Sequence, residues 1–114
     1  MRLSDKISLF KKECNDWLVK FNLSSWEVFY WENEVDDKYK ATCDRDSKKC
    51  ILEFSISTKW IKEATSEDIK HTAKHEAIHA LVSEVMCKAF DRFGRERDML
   101  EAEERLVIKL NKLL

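Results

Sequence analysis

The sequence predicts an α+β fold with the element order helix, three strands, helix, helix. Three observations predict it. Apolar residues recur at three-and-four spacing near both ends of the chain, they alternate with polar ones in the middle, and 114 residues are one domain's worth, read as a single unit over 1–114.

Leu3, Ile7, Phe10, Cys14, Trp17, Leu18 and Phe21 form one stripe, which predicts an amphipathic helix over Leu3 to Phe21. Ser4 or Asp5 is expected to cap it and Asn22 to close it. Phe10, Trp17 and Phe21 are read as core. The period then changes. Trp26 to Trp31 (WEVFYW) is aromatic and β-branched, as strands prefer. Lys38 to Cys43 alternates Tyr39, Ala41 and Cys43 against Lys38, Lys40 and Thr42. After the polar stretch DRDSKK, the run from Cys50 to Ser57 puts Leu52, Phe54 and Ile56 on one face. Polar turns between these strands predict a small, mainly antiparallel sheet with one covered face.

The helical period returns at Ser66. Thr65 with Asp68 has capping-box spacing, and the helix is expected from Glu67 to about Lys88. It is apolar over much of its circumference between Ala77 and Met86, which predicts burial. A last helix is expected from about Arg95 to Leu113, with Gly94 letting the chain turn back.

Composition excludes several functions. One Gly and no Pro leave no Walker A loop, no G-x-G-x-x-G turn and no PxxP ligand. The balance of 21 basic against 22 acidic residues gives no bulk electrostatic reason for a nucleic-acid partner, and the five lysines Lys11, Lys12, Lys48, Lys49 and Lys59 read as dispersed, solvated surface. No apolar run approaches the ~20 residues of a membrane span, and MRLSDKISLF has no apolar signal core. A cytoplasmic, monomeric protein is the expectation. Among Cys14, Cys43, Cys50 and Cys87 there is no C-x-x-C pair. Cys43 and Cys50 flank DRDSKK, where a hairpin places them opposite each other, and they are read as reduced packing residues.

The buried helix contains His75-Glu76-Ala77-Ile78-His79. Histidines at i and i+4 stand one above the other, so both imidazoles can converge on one ion. A glutamate beside the first histidine is placed to take a proton from water that zinc has made more acidic. With three His and 13 Glu in the chain, this spacing arises by chance on the order of one per cent of the time. The bland reading is an amphipathic helix with two solvated histidines, which leaves three polar residues unexplained in the most apolar helix.

A catalytic zinc site takes a third protein ligand. His71 stands eight residues from His79, roughly 12 Å along the axis, too far to share an ion of ~2.1 Å bond length. Cys87 fails for the same reason. The last helix offers Leu100, Val107, Leu110 and Leu114 as an inward stripe, and Glu103 falls within it. A carboxylate in an apolar row needs a partner, and zinc is a suitable one. Glu103 is therefore the expected third ligand, with Glu104 the alternative and Asp98 and Glu101 behind it.

HEAIH on a buried helix after a short aromatic-rich sheet resembles a minimal zincin metallopeptidase, gluzincin-like in the carboxylate that follows. It is also similar to small phage-encoded metallopeptidases and to the SprT-like family, although the third histidine and zinc ribbon common in that family are absent. The resemblance covers roughly Trp26 to Leu110, and only HEAIH is a sharp motif. It implies a zincin-like fold, one Zn²⁺ per chain held by His75, His79 and Glu103, a peptide or protein substrate, and Glu76 as base and then proton donor. It also implies an extended substrate along the sheet edge nearest the metal, expected at Cys50 to Ser57. His71, Tyr30, Tyr39 and Arg92 are the candidates for an oxyanion partner, each with a structural or solvated alternative. Two other readings stand beside the peptidase: a non-catalytic zinc-binding module, and a helical regulator in which HEAIH is coincidental.

Overall fold

The computed structural model describes residues 1–33, 39–46, 49–93 and 96–114, without the side chains of 84, 87–93, 96 and 98. Its elements are α1 (Leu3–Lys20), β1 (Glu27–Asn33), β2 (Ala41–Asp46), β3 (Ile51–Ser57), α2 (Thr58–Glu63), α3 (Ser66–Phe93) and α4 (Glu96–Leu113). The α+β class and the order of the main elements are as the periodicity predicted. Lys38, Ser47, Lys48 and Gly94, and with Gly94 the expected turn between the last helices, lie outside the described residues.

α1 buries Ile7, Phe10, Cys14 and Leu18. Trp17 and Phe21 are only half-buried and pack on each other, ring centroids 5.6 Å apart, so of the three aromatics Phe10 alone is core. Neither Ser4 nor Asp5 caps the helix: the N-cap is Arg2, whose side chain makes no capping bond. The C-terminus closes as expected, because Asn22 adopts φ 60 and lets the Leu23 N–H reach back to the Leu18 carbonyl at 2.8 Å.

The sheet is mixed rather than mainly antiparallel. β3 lies in the middle of the order β1-β3-β2, parallel to β1 and antiparallel to β2. Its central place follows from its side chains: Leu52, Phe54 and Ile56 are fully buried on one face, the alternation that defined the strand. Cys43 pairs with Phe54 in the register, while Cys50 sits exposed in the turn at φ 55, so the two cysteines are not opposed and Cys50 is not a core residue. β2 also begins three residues later than its alternation implied and runs on through Arg45 to Asp46.

The short helix α2 was not foreseen. Ser57 ends β3 and caps α2, its hydroxyl accepting the Trp60 N–H at 3.3 Å, and Ile61 is fully buried. Thr65 and Asp68 then form the reciprocal cap of α3, with bonds of 3.1 and 3.2 Å. α3 sets Ile69, Ala73 and Ala80 into the core that α1 and the sheet share. The burial predicted up to Met86 is incomplete, because Leu81 and Val85 face solvent. On α4, Glu103, Val107 and Asn111 are buried while Leu100 and Leu114 are exposed, so the inward stripe is shorter than the one drawn from the leucines. Among the described residues no helix is long and apolar enough to cross a membrane.

Candidate metal centre

His75 and His79 lie one turn apart on α3 with ring centroids 5.1 Å apart. α4 packs across them and brings two consecutive glutamates to different atoms. The Glu104 carboxylate spans both imidazoles, with Oε1 2.8 Å from His75 Nε2 and Oε2 3.0 Å from His79 Nε2. Glu103 turns away from those nitrogens. Its Oε2 accepts from His79 Nδ1 at 2.5 Å and from Arg45 Nη1 at 2.8 Å, and its Oε1 accepts from Arg45 Nη2.

The carboxylate that meets the two Nε2 atoms is thus Glu104, the alternative to Glu103, and Glu103 is engaged elsewhere. The premise that Glu103, buried in an apolar row, needs a partner holds, since its side chain is 3% exposed. That partner is the Arg45 guanidinium, reached from β2, together with the rear nitrogen of His79. Both oxygens of Glu103 are occupied before any cation is considered. Glu101 is exposed and engages Arg97 at 3.6 Å, and the Asp98 side chain lies outside the described residues.

Donor atoms of His75, His79 and Glu104 all lie within 4.8 Å of one another. In a tetrahedral site with bonds of ~2.1 Å, ligand atoms stand roughly 3.4 Å apart, so to hold an ion the 2.8 and 3.0 Å contacts of Glu104 would lengthen and any pair near the 4.8 Å limit would draw in. Two imidazoles and a carboxylate are a donor set that zinc takes in catalytic sites, and a carboxylate behind one histidine is the support such ligands usually have. The residues present fit the metal.

Glu76 lies on the same turn of α3 and lines the same cleft, buried to 6% exposure. Burial pushes its carboxyl up to about 8, with the negative charges of Glu104, Glu103 and Asp44 adding and His79 opposing. Burial acts on Glu103 in the same sense but is outweighed by the hydrogen bonds from His79 and Arg45, which hold its carboxyl down at about 2. Burial lowers His75. It also acts to lower His79, whose bond to Glu103 and neighbouring carboxylates reverse the effect and raise it.

The cleft measures about 920 Å³ and is lined by β2, α3 and α4. β2, not the run from Cys50 to Ser57, is the strand beside the imidazoles. β3 has a strand hydrogen-bonded on each side and offers no edge. His71 and Tyr39 line the cleft, His71 exposed and outside the donor cluster. Tyr30 is turned elsewhere, its hydroxyl donating to Asn15 Oδ1 at 2.7 Å and its ring stacked on Phe54. The side chains of Cys87 and Arg92 lie outside the described residues.

Arg45 is the residue that sequence reasoning missed. It stands in the polar run DRDSKK, yet the alternation Tyr39, Ala41, Cys43 continues to it, and a strand extended by that alternation places it on their face.

No family model, curated protein or solved structure matches the chain.

Proposed function

We propose that the chain is a zinc-dependent metallopeptidase of the zincin type, with His75, His79 and Glu104 as the metal ligands and Glu76 as the general base. The observation that carries this reading is the convergence of two imidazole Nε2 atoms and the Glu104 carboxylate beside the buried Glu76, in an open cleft. When bound, zinc supplies Lewis acidity that makes a water more acidic and polarises a carbonyl. The chain does the rest. Glu76 takes the proton of the attacking water as oxygen adds to the carbonyl carbon, then gives it to the amine nitrogen as the C–N bond breaks. A nearby cation favours the anionic form of Glu76 and so opposes the effect of burial on it. Of the candidates for the carbonyl oxygen, His71 and Tyr39 line the cleft.

The test is metal analysis and peptide hydrolysis on the purified protein, on Glu76→Gln and on Glu104→Ala. Wild type is expected to hold about one zinc per chain. Glu76→Gln keeps the metal and loses turnover by about 10²- to 10⁴-fold. Glu104→Ala loses most of the metal. Wild-type protein that cannot be loaded with zinc overturns the proposal, and zinc binding without turnover on any peptide assigns the site to binding alone.

A further inference from the structure

Arg45 stands on β2, yet its guanidinium reaches both helices that carry the proposed ligands. It grips the two oxygens of Glu103 on α4 and lies 3.5 Å from the His79 carbonyl on α3. Glu103 in turn holds His79 Nδ1. The side chains of Arg45 and Glu103 are 11% and 3% exposed, so the chain of contacts runs almost wholly out of water.

From this geometry we infer that Arg45 is a positioning residue for the metal centre: through Glu103 it fixes the ring of His79 so that Nε2 faces Glu104 and the cleft. The inference rests on the metallopeptidase reading for its consequence, zinc affinity, but its geometry is a property of the metal-free chain. An ionised carboxylate has no proton to give, so Nδ1 must be the donor, and that leaves Nε2 as the nitrogen for a metal. A lone carboxylate can swing. One held by a planar fork at both oxygens cannot, because two parallel N–H bonds fix its plane as well as its place. Lysine keeps the charge of arginine without the fork. The same contacts make assembly of the site depend on β2 lying against α3, so the strand that lines the cleft also sets the metal-binding geometry.

The experiment compares wild type, Arg45→Lys, Glu103→Gln and the double variant by competition against a zinc chelator, with folding of each checked by circular dichroism. Glu103→Gln is expected to weaken zinc binding by about 10- to 100-fold, as loss of such supporting partners does. Arg45→Lys is expected to weaken it about tenfold, and the double variant to bind no more weakly than Glu103→Gln alone, because Arg45 acts through Glu103. Affinity in Arg45→Lys within about twofold of wild type, or losses that multiply in the double variant, overturns the inference. A second readout needs no metal. The His79 Nδ1 proton is expected as an exchange-protected, low-field resonance in metal-free wild type, and to be lost in Arg45→Lys. Its persistence there also overturns the inference. Failure of every protein to bind zinc, with that proton present in wild type and lost in Arg45→Lys, removes the metallopeptidase reading and leaves the positioning role standing.

Discussion

The face of α3 that meets α1 and the sheet is set with Ile69, Ala73 and Ala80, whereas the face that meets α4 and the end of β2 carries His75 and His79, with Glu76 at the boundary between the two. On the first face small side chains let α1 come close enough for Cys14 Sγ to reach the Ala73 carbonyl at 3.8 Å. On the second, where Val107 of α4 is also fully buried, charge is added: Arg45 with Glu103, and Glu104 across the two imidazoles. One helix is thus held by dispersion and burial on one side, and on the other by burial together with a small number of directional bonds. The first kind of contact degrades gradually. The second fails when a single partner is removed, and it is the kind that a bound cation can strengthen.

The sharpest way to separate the two faces is to damage each and ask whether zinc repairs it. Phe54→Ala empties a fully buried site on the central strand and is expected to cost about 3–5 kcal/mol by urea unfolding, a loss that zinc binding leaves in place. Arg45→Met leaves Glu103 buried without its ion-pair partner and is expected to cost about 3 kcal/mol, most of it recovered in Arg45→Met/Glu103→Leu. A loss from Arg45→Met below about 1 kcal/mol, well under the usual range for such a pair, would mean that charge does not hold the second face.

On the proposed reading, zinc acts on the second face alone. At a free concentration one hundred times its dissociation constant it is expected to stabilise the fold by about 2.7 kcal/mol. In hydrogen exchange measured on the native protein, the added local protection should appear in α4 and around His75 to His79, with α1 little changed beyond the global shift. Equal protection everywhere would mean that α4 is already as firmly held as α1.

What could be read in advance follows the same division. Ile7, Phe10, Leu52, Phe54 and Ile56 announced themselves because burial repeats with the period of their element. HEAIH announced itself because two histidines one turn apart are a local pattern. The third carboxylate was not local. Glu103 and Glu104 differ by 100° around α4, and which one faces the imidazoles depends on how α4 is rotated against α3. Leu100 and Leu114 gave the wrong rotation, because both are exposed and the buried line runs through Glu103, Val107 and Asn111. Arg45 was hidden for a related reason: a charged residue in a polar run carries no sign of a partner 58 positions away. The middle place of β3 was equally non-local, since a parallel pairing of β1 with β3 passes over β2 in the sequence.

Glu76 and Glu103 carry the comparison down to single groups and give it a pH dependence. Both are buried carboxyls with an ordinary value of 4.5, and of the two only Glu103 is met by hydrogen-bond donors among the described residues. Its stabilising contribution is therefore complete above pH 4.5 and is lost as pH falls through about 2. Glu76, held protonated up to about 8, stabilises the metal-free fold below pH 4.5, and that contribution is lost as pH rises through about 8. His79, raised, adds to the decline on the alkaline side, and His75, lowered, partly offsets it. With a chelator present, stability is expected to fall between pH 5 and pH 8 by on the order of 2 kcal/mol. With zinc present the slope should flatten or reverse, because the cation favours ionised Glu76 and competes with protons for both imidazoles. Melting temperatures across that range, with and without zinc, read the difference directly. A chelated protein as stable at pH 8 as at pH 5 would show that Glu76 meets a donor in solution, and the contrast between the two carboxyls would be gone.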